Sequence, residues 1–198
     1  MMEEKSKGER TQDKIVKAAH RLILEQGYHG TSMRQIAEQA GIALGGIYNH
    51  FASKEDIFEA VVMTYHPYHE ILPVLEAAQG ETIEALFLDA AKGLRPILEG
   101  RGDLFNIMFI ELIELEGQHI AQLFEIIFPQ MIGFAQKLAQ AKGKLRPMPL
   151  PNLMRAFIGA MFSTMLMEQL MGGQFPDEVN AQAYDDTVNI FLRGILEE

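Results

Sequence analysis

The stretch from Thr31 to Lys54, TSMRQIAEQAGIALGGIYNHFASK, fits two short helices joined by a sharp reversal and little else. Ile36 and Ala37 fall on one face of the first helix. Gly41 follows four residues after Ala37, where that helix must stop and turn. Glycine accepts the left-handed backbone conformation that ends a helix, and a small residue at Ala37 lets two helices cross closely. Ile36, Ala40, Ile42 and Ile47 supply the apolar contacts that pack the pair at the steep angle of a helix-turn-helix. In that motif the second helix presents its N-terminal residues to base edges in the major groove. A plain helical hairpin also carries a Gly between apolar helices, so Ala37, Gly41 and Ile47 alone leave both readings open.

The flanks add helices on either side. Ile15, Ala18, Ala19, Leu22 and Ile23 form the stripe of an amphipathic helix over Thr11–Gln26, with Thr11 as its N-cap and Gly27 as its terminator. Ser32 and Gln35 have the spacing of a capping box that opens the next helix. Ser53 caps a fourth, with Glu55 and Asp56 at its positive end. Ile57, Phe58, Val61 and Val62 are its buried face, and Pro67 stops it near Tyr65. Further helices are expected at about 68–77, 82–99, 103–116, 118–141, 152–171 and 178–196. Gly80, Gly100 to Gly102, Gly117, Gly143 to Pro151 and Gly172-Gly173 punctuate them. Pro96 and Pro129 should kink or divide two of these helices. No segment alternates like a strand. The chain is read as all-α, with about nine helices.

The charge sits unevenly. Residues 1–64 hold eight Lys and Arg against nine Asp and Glu, while residues 65–198 hold nine against eighteen. The overall charge of −10 therefore does not oppose a DNA-binding N-terminal part. Lys5, Lys7, Arg10, Lys14, Lys17 and Arg21 form a basic run there, either a solvated helix face or a flank for phosphates. Cys is absent, which excludes disulfides and thiolate metal sites. No apolar signal region opens the chain, and the charge-free stretch from Ala156 to Met167 is twelve residues. A membrane span needs about 20. The expectation is a cytoplasmic protein with no membrane partner. No nucleophile–base pair, zinc motif or phosphate loop is recognisable, so neither an enzyme nor a cofactor is expected.

The run Gly41-Ile42-Ala43-Leu44-Gly45-Gly46-Ile47-Tyr48-Asn49-His50-Phe51-Ala52-Ser53-Lys54-Glu55 resembles the signature of the TetR family of bacterial transcriptional regulators. The resemblance covers about Thr11 to Val62. It implies a three-helix DNA-binding domain, residues 1–52, and a helical regulatory and dimerisation domain, residues 53–198. It also implies a homodimer, a palindromic double-stranded operator and a ligand-responsive repressor. Tyr48, His50 and Lys54 fall where the family holds the phosphate backbone, and Thr31 and Ser32 do likewise with hydroxyl and N–H. From the residues alone, Tyr48 is equally a core aromatic with its hydroxyl at the surface, His50 a helix C-cap and Lys54 a solvated charge.

Arg34 is placed to bond guanine bidentately. Ala43, Leu44 and Asn49 are the other candidate base readers, with Leu44 against thymine methyls. Gly45 and Gly46 offer no side chain and cost their helix about 2 kcal/mol relative to alanine. Their compensation is close backbone approach to DNA. Phe51 is read as core.

Beyond the signature, Phe105, Met108, Phe109, Leu112, Phe124, Phe128, Met131, Met161 and Met165 crowd three expected helices with adaptable apolar groups. Such a stripe is either plain core or the wall of a cavity. The resemblance implies a cavity there for an apolar or amphipathic small molecule. Glu111 lies near the edge of the polar wedge of its helix, facing either solvent or a cationic ligand. Small residues Gly159 and Ser163, with Val188, Phe191 and Ile195 on the last helix, are the candidate dimer interface. His66, His69 and Glu70 are read as a plain junction, and Arg101-Gly102-Asp103 as a turn. The rival function is a helical small-molecule carrier or interaction module without DNA affinity.

Overall fold

The computed structural model describes residues 6–99 and 101–196. Lys5 of the basic run and Gly100 lie outside them. The described residues form eleven α-helices: α1 (Lys7–Gly30), α2 (Met33–Ala40), α3 (Leu44–Ile47), α4 (Lys54–Tyr65), α5 (Tyr68–Ala77), α6 (Ile83–Leu98), α7 (Gly102–Glu114), α8 (Gln118–Gln130), α9 (Ile132–Gln140), α10 (Leu150–Met171) and α11 (Asp177–Ile195). One 3-10 turn, Gly172–Gln174, separates the last two. Among the described residues extended pairing is limited to two isolated bridges. None of the described helices is long and apolar enough to cross a membrane.

Two compact units share these helices, one built from residues up to His66 with Asp103–Glu125, the other from Pro67–Gly102 with Ile126–Glu198. In the first unit α1 packs on both α2 and α4. Ile15, Ile23, Ile36, Ile47, Ile57 and Phe58 are fully buried in one apolar cluster that also takes in Ile107 of α7. Burying such side chains stabilises a fold by roughly 1.5–3 kcal/mol each. His20 of α1 stacks flat on Tyr65 of α4 with ring centroids 3.5 Å apart. α4 shares the core of α1 to α3, because Ile57, Phe58, Val61 and Val62 all point into it.

In the second unit α10 packs along α11, and α6 against α5 and α11. Its centre is aromatic: the Phe87 ring meets Phe134, Phe157 and Phe191 at 5.7, 5.0 and 5.2 Å. The Tyr184 hydroxyl donates to the Ala91 carbonyl at 2.7 Å, closing α11 onto α6.

Most boundaries match the sequence expectation to within two residues. Two differ. The first helix starts earlier, because Ser6 and Glu9 form a reciprocal capping box, and Thr11 instead donates its hydroxyl to the Lys7 carbonyl. The helix expected at 118–141 is two helices, α8 and α9, which meet at Met131, two residues after Pro129. Pro96 lies in the last turn of α6, where the helix ends regardless.

Candidate nucleic-acid interface

The turn between α2 and α3 has the expected geometry. Ser32 and Gln35 complete a capping box, with Ser32 Oγ accepting from Gln35 N at 3.3 Å and Gln35 Oε1 accepting from Ser32 N at 2.9 Å. Gly41 adopts φ 71°, and the Gly41 and Ile42 amides donate to the Glu38 and Ala37 carbonyls at 3.1 and 3.0 Å. A Cβ at Gly41 would meet no atom, so the conformation alone calls for glycine. Ile36, Ala37 and Ile47 are buried where the two helices cross.

The second helix is short. α3 spans four residues, and its N-cap Ala43 offers no side-chain hydrogen bond. The chain then continues as tight turns, with Asn49 N donating to Gly46 O and His50 N to Ile47 O. Leu44 is 42% exposed and Tyr48 54% exposed. Arg34, Ala43, Gly45 and Asn49 are exposed around them, while Gly46, His50 and Phe51 are half-buried. Tyr48 is thus no core aromatic. A Cβ at Gly45 or Gly46 would meet nothing within 4 Å, and neither has a positive φ. The fold itself does not require glycine at these two positions.

Three candidate phosphate ligands are engaged inside the chain. Thr31 is only 2% exposed, and its hydroxyl donates to Gly27 O at 2.9 Å while accepting from Gln26 Nε2 at 3.3 Å. Its N–H donates to Tyr28 O. Ser32 is exposed, but its hydroxyl also donates to Gln35 Oε1 at 2.7 Å.

Lys54 corrects the reading that the resemblance implies. Its ammonium donates to the carbonyls of Tyr28 and Thr31, each at 2.8 Å, and lies 4.1 Å from the centre of the Tyr28 ring. Burial pushes its pKa below the ordinary lysine value, with Glu114 opposing. Lys54 is neither a solvated charge nor turned outward to a phosphate. It ties the end of α1 to the start of α4. Sequence reasoning missed this, since a helix-starting lysine gives no sign of carbonyls 26 and 23 residues back.

Other candidate sites divide by helix face. On α7 the inward positions are Phe105, Ile107 and Glu111, which turns Phe109 and Leu112 outward and leaves Met108 half-buried. On α8, Phe124 and Phe128 are likewise exposed. Met131, Met161 and Met165 are buried, the first two within the second unit's core. Glu111 does not face solvent: it is fully buried, bonded to His119 Nδ1 at 2.9 Å and accepting from His119 N at 2.6 Å. A cleft of about 290 Å³ opens between α10 and α11, bordered by Met167, Phe175, Val179, Asn180 and Thr187. None of the residues expected to bind a ligand borders that cleft.

Of the expected dimer residues, Gly159 and Ser163 are exposed. Val188, Phe191 and Ile195 are a correction, because they are buried in the chain's own core against α6 and α10. The outward apolar groups of the same helices are Ile158, Phe162, Leu170 and Ile190, between 39% and 72% exposed.

Against known proteins, the family of bacterial regulatory proteins named tetR matches residues 15–61, a span that runs from within α1 to within α4 and takes in all of α2 and α3. Within that span the chain is similar to TetR-family regulators. The chain is a DNA-binding transcriptional regulator. It is similar to IcaR, the negative transcriptional regulator of the biofilm operon icaADBC in Staphylococcus aureus, at 26% identity. That similarity covers 91% of this chain and 98% of IcaR. Among solved structures the fold is that of NalD, the secondary repressor of the MexAB-OprM multidrug efflux pump in Pseudomonas aeruginosa. There the TM-score is 0.69 at 20% identity, over 96% of this chain and 99% of that one. SmeT, the repressor of the Stenotrophomonas maltophilia multidrug efflux pump SmeDEF, shares it with a TM-score of 0.66 at 19% identity. Here 94% of this chain and 91% of SmeT are covered.

Proposed function

We propose that this regulator is a homodimeric repressor that holds a palindromic operator through α2 and α3 and releases it when a small molecule binds. The observation that carries the DNA-reading surface is the exposed set of Arg34, Leu44, Tyr48 and Asn49 around two glycines that the fold does not need. A glycine pair that no packing requires leaves close approach to a sugar-phosphate backbone as its physical use. Tyr48 and half-buried His50 hold phosphates; Arg34, Leu44 and Asn49 meet base edges. Thr31 and Lys54 position the motif from within. Repression is supported by the names of the similar proteins, each a negative regulator or repressor.

The homodimer rests on α10 and α11, whose outward Ile158, Phe162, Leu170 and Ile190 leave more apolar surface than one chain buries. Two reading helices related by a two-fold axis engage half-sites about one helical turn apart, roughly 34–36 Å. The effector is an apolar or amphipathic small molecule, supported by the Phe and Met content of the segment from Leu104 to Met171. It acts by binding better to the conformation whose reading helices are wrongly spaced. Its work is done on DNA, in the cytoplasm.

The test is selection of duplexes from a random-sequence pool by the full-length protein, followed by titration of the selected duplex against salt. The expected result is a palindromic consensus bound by a dimer, with affinity falling steeply as salt rises because phosphate contacts dominate. Equal affinity for every duplex, or a monomer at micromolar concentration, contradicts it. An effector must also weaken operator binding by the factor by which the operator weakens effector binding.

A further inference from the structure

Between the Gly27 kink in α1 and the helix-turn-helix lies a four-residue link, Tyr28 to Thr31, which takes in the last turn of α1. It follows a break at Gly27, whose φ 78° and ψ 169° take the backbone out of the helix. Opposite charges from two other helices hold opposite poles of this link. Lys54 of α4 takes the carbonyls of Tyr28 and Thr31. Glu114, in the last turn of α7, takes the amides: its Oε2 accepts from His29 N at 2.7 Å and its Oε1 from Tyr28 N at 3.3 Å. The residue after the link is Ser32, the N-cap of α2. Where the link sits therefore sets where α2 begins and how α2 and α3 are aimed.

We infer that Glu114 is the positioning residue through which α7 sets the aim of the DNA-reading helices. Three further observations support it. A Cβ on Gly27 would lie 2.9 Å from Glu114 Oε1, so the glycine that breaks α1 also makes room for the carboxylate. The turn of α7 that carries Glu114 is fixed from behind: the buried Glu111 carboxylate binds His119, and Gly117 N donates to Glu111 O at 3.1 Å. Glu114 is also largely withdrawn from water, with 21% of its side chain exposed. A carboxylate accepting backbone amides there is worth more than a surface ion pair. Because α7 lies outside the span that matches the TetR family, this contact lets a helix beyond the signature act on the link that leads into α2.

The inference rests on the proposed DNA-reading role of α2 and α3, and the two can fail separately. Glu114→Gln keeps the length and one acceptor oxygen but turns an NH2 toward an amide N–H. With the duplex selected by the wild-type protein as probe, the variant should bind about tenfold more weakly, the cost of one charge-assisted hydrogen bond. Amide exchange of Tyr28 and His29 should accelerate, while Ile57 and Phe58 in the core keep their protection, a split that general destabilisation would not produce. Combined with Lys54→Met, the losses in DNA affinity should be non-additive, since both side chains act on one link. Wild-type affinity in Glu114→Gln, or unchanged exchange at Tyr28 and His29, overturns the proposal. A wild-type protein that binds no selected duplex overturns the functional reading instead.

Discussion

The link Tyr28–Thr31 and the reading helix α3 lie either side of α2, and they are built by opposite rules. The link is held by a lysine, a glutamate, an aromatic face and a buried threonine hydroxyl. The reading helix has four residues, two open glycines and no side-chain cap, and only Ile47 anchors it in the core. In the proposed function the mount of the motif is tied by several hydrogen bonds and the reader by few. Such a division suits a regulator: a stiff mount carries displacement from elsewhere in the chain, whereas a loose reader adapts to the groove and gains order only on binding.

Breaking the mount should cost most. Lys54→Ala removes two hydrogen bonds from a charged donor and a cation–π contact. It should lower the unfolding free energy by about 2 kcal/mol in urea titration. No loss of stability would mean that the link holds itself. Gly41→Ala comes next, placing a Cβ in a left-handed conformation at a cost of about 1 kcal/mol by the same titration. Gly45→Ala sharpens the contrast because its two effects have opposite signs. Alanine should stabilise α3 by up to about 1 kcal/mol and, by intruding on the groove, weaken DNA binding. An alanine that raises both stability and affinity would remove the reason for the glycine. Tyr48→Phe should be the mildest, changing stability by less than about 0.5 kcal/mol while losing one hydroxyl contact to DNA. Affinity equal to wild type would take Tyr48 off the phosphate backbone.

Local chemistry was legible in the sequence. Ser32 with Gln35, Ser53 and Gly41 act within four residues of themselves, and each does what its spacing implies. Most helix ends after 65 were readable as well, from the Gly and Pro that punctuate them, although the break at Met131 was not. What the sequence hid were contacts over long separations. Nothing near Lys54 signals Tyr28 O, and nothing near Glu114 signals an amide 85 residues earlier. Helical spacing puts Glu111 at a polar edge, because one helix's periodicity cannot show that His119 folds back over it. The last helix shows the same limit. Val188, Phe191 and Ile195 do form an apolar stripe, but a stripe does not say which body covers it, and here it is the chain's own core.

The claim of a stiff mount and a loose reader is tested most directly by amide hydrogen exchange with and without the selected duplex. In the free protein, the amides of α2 and of Tyr28 and His29 should be protected, and those of Ile47, Tyr48 and Asn49 should exchange far faster. Adding the duplex should slow the second group and leave the first unchanged. Equal protection of α2 and α3 in the free protein would contradict the account.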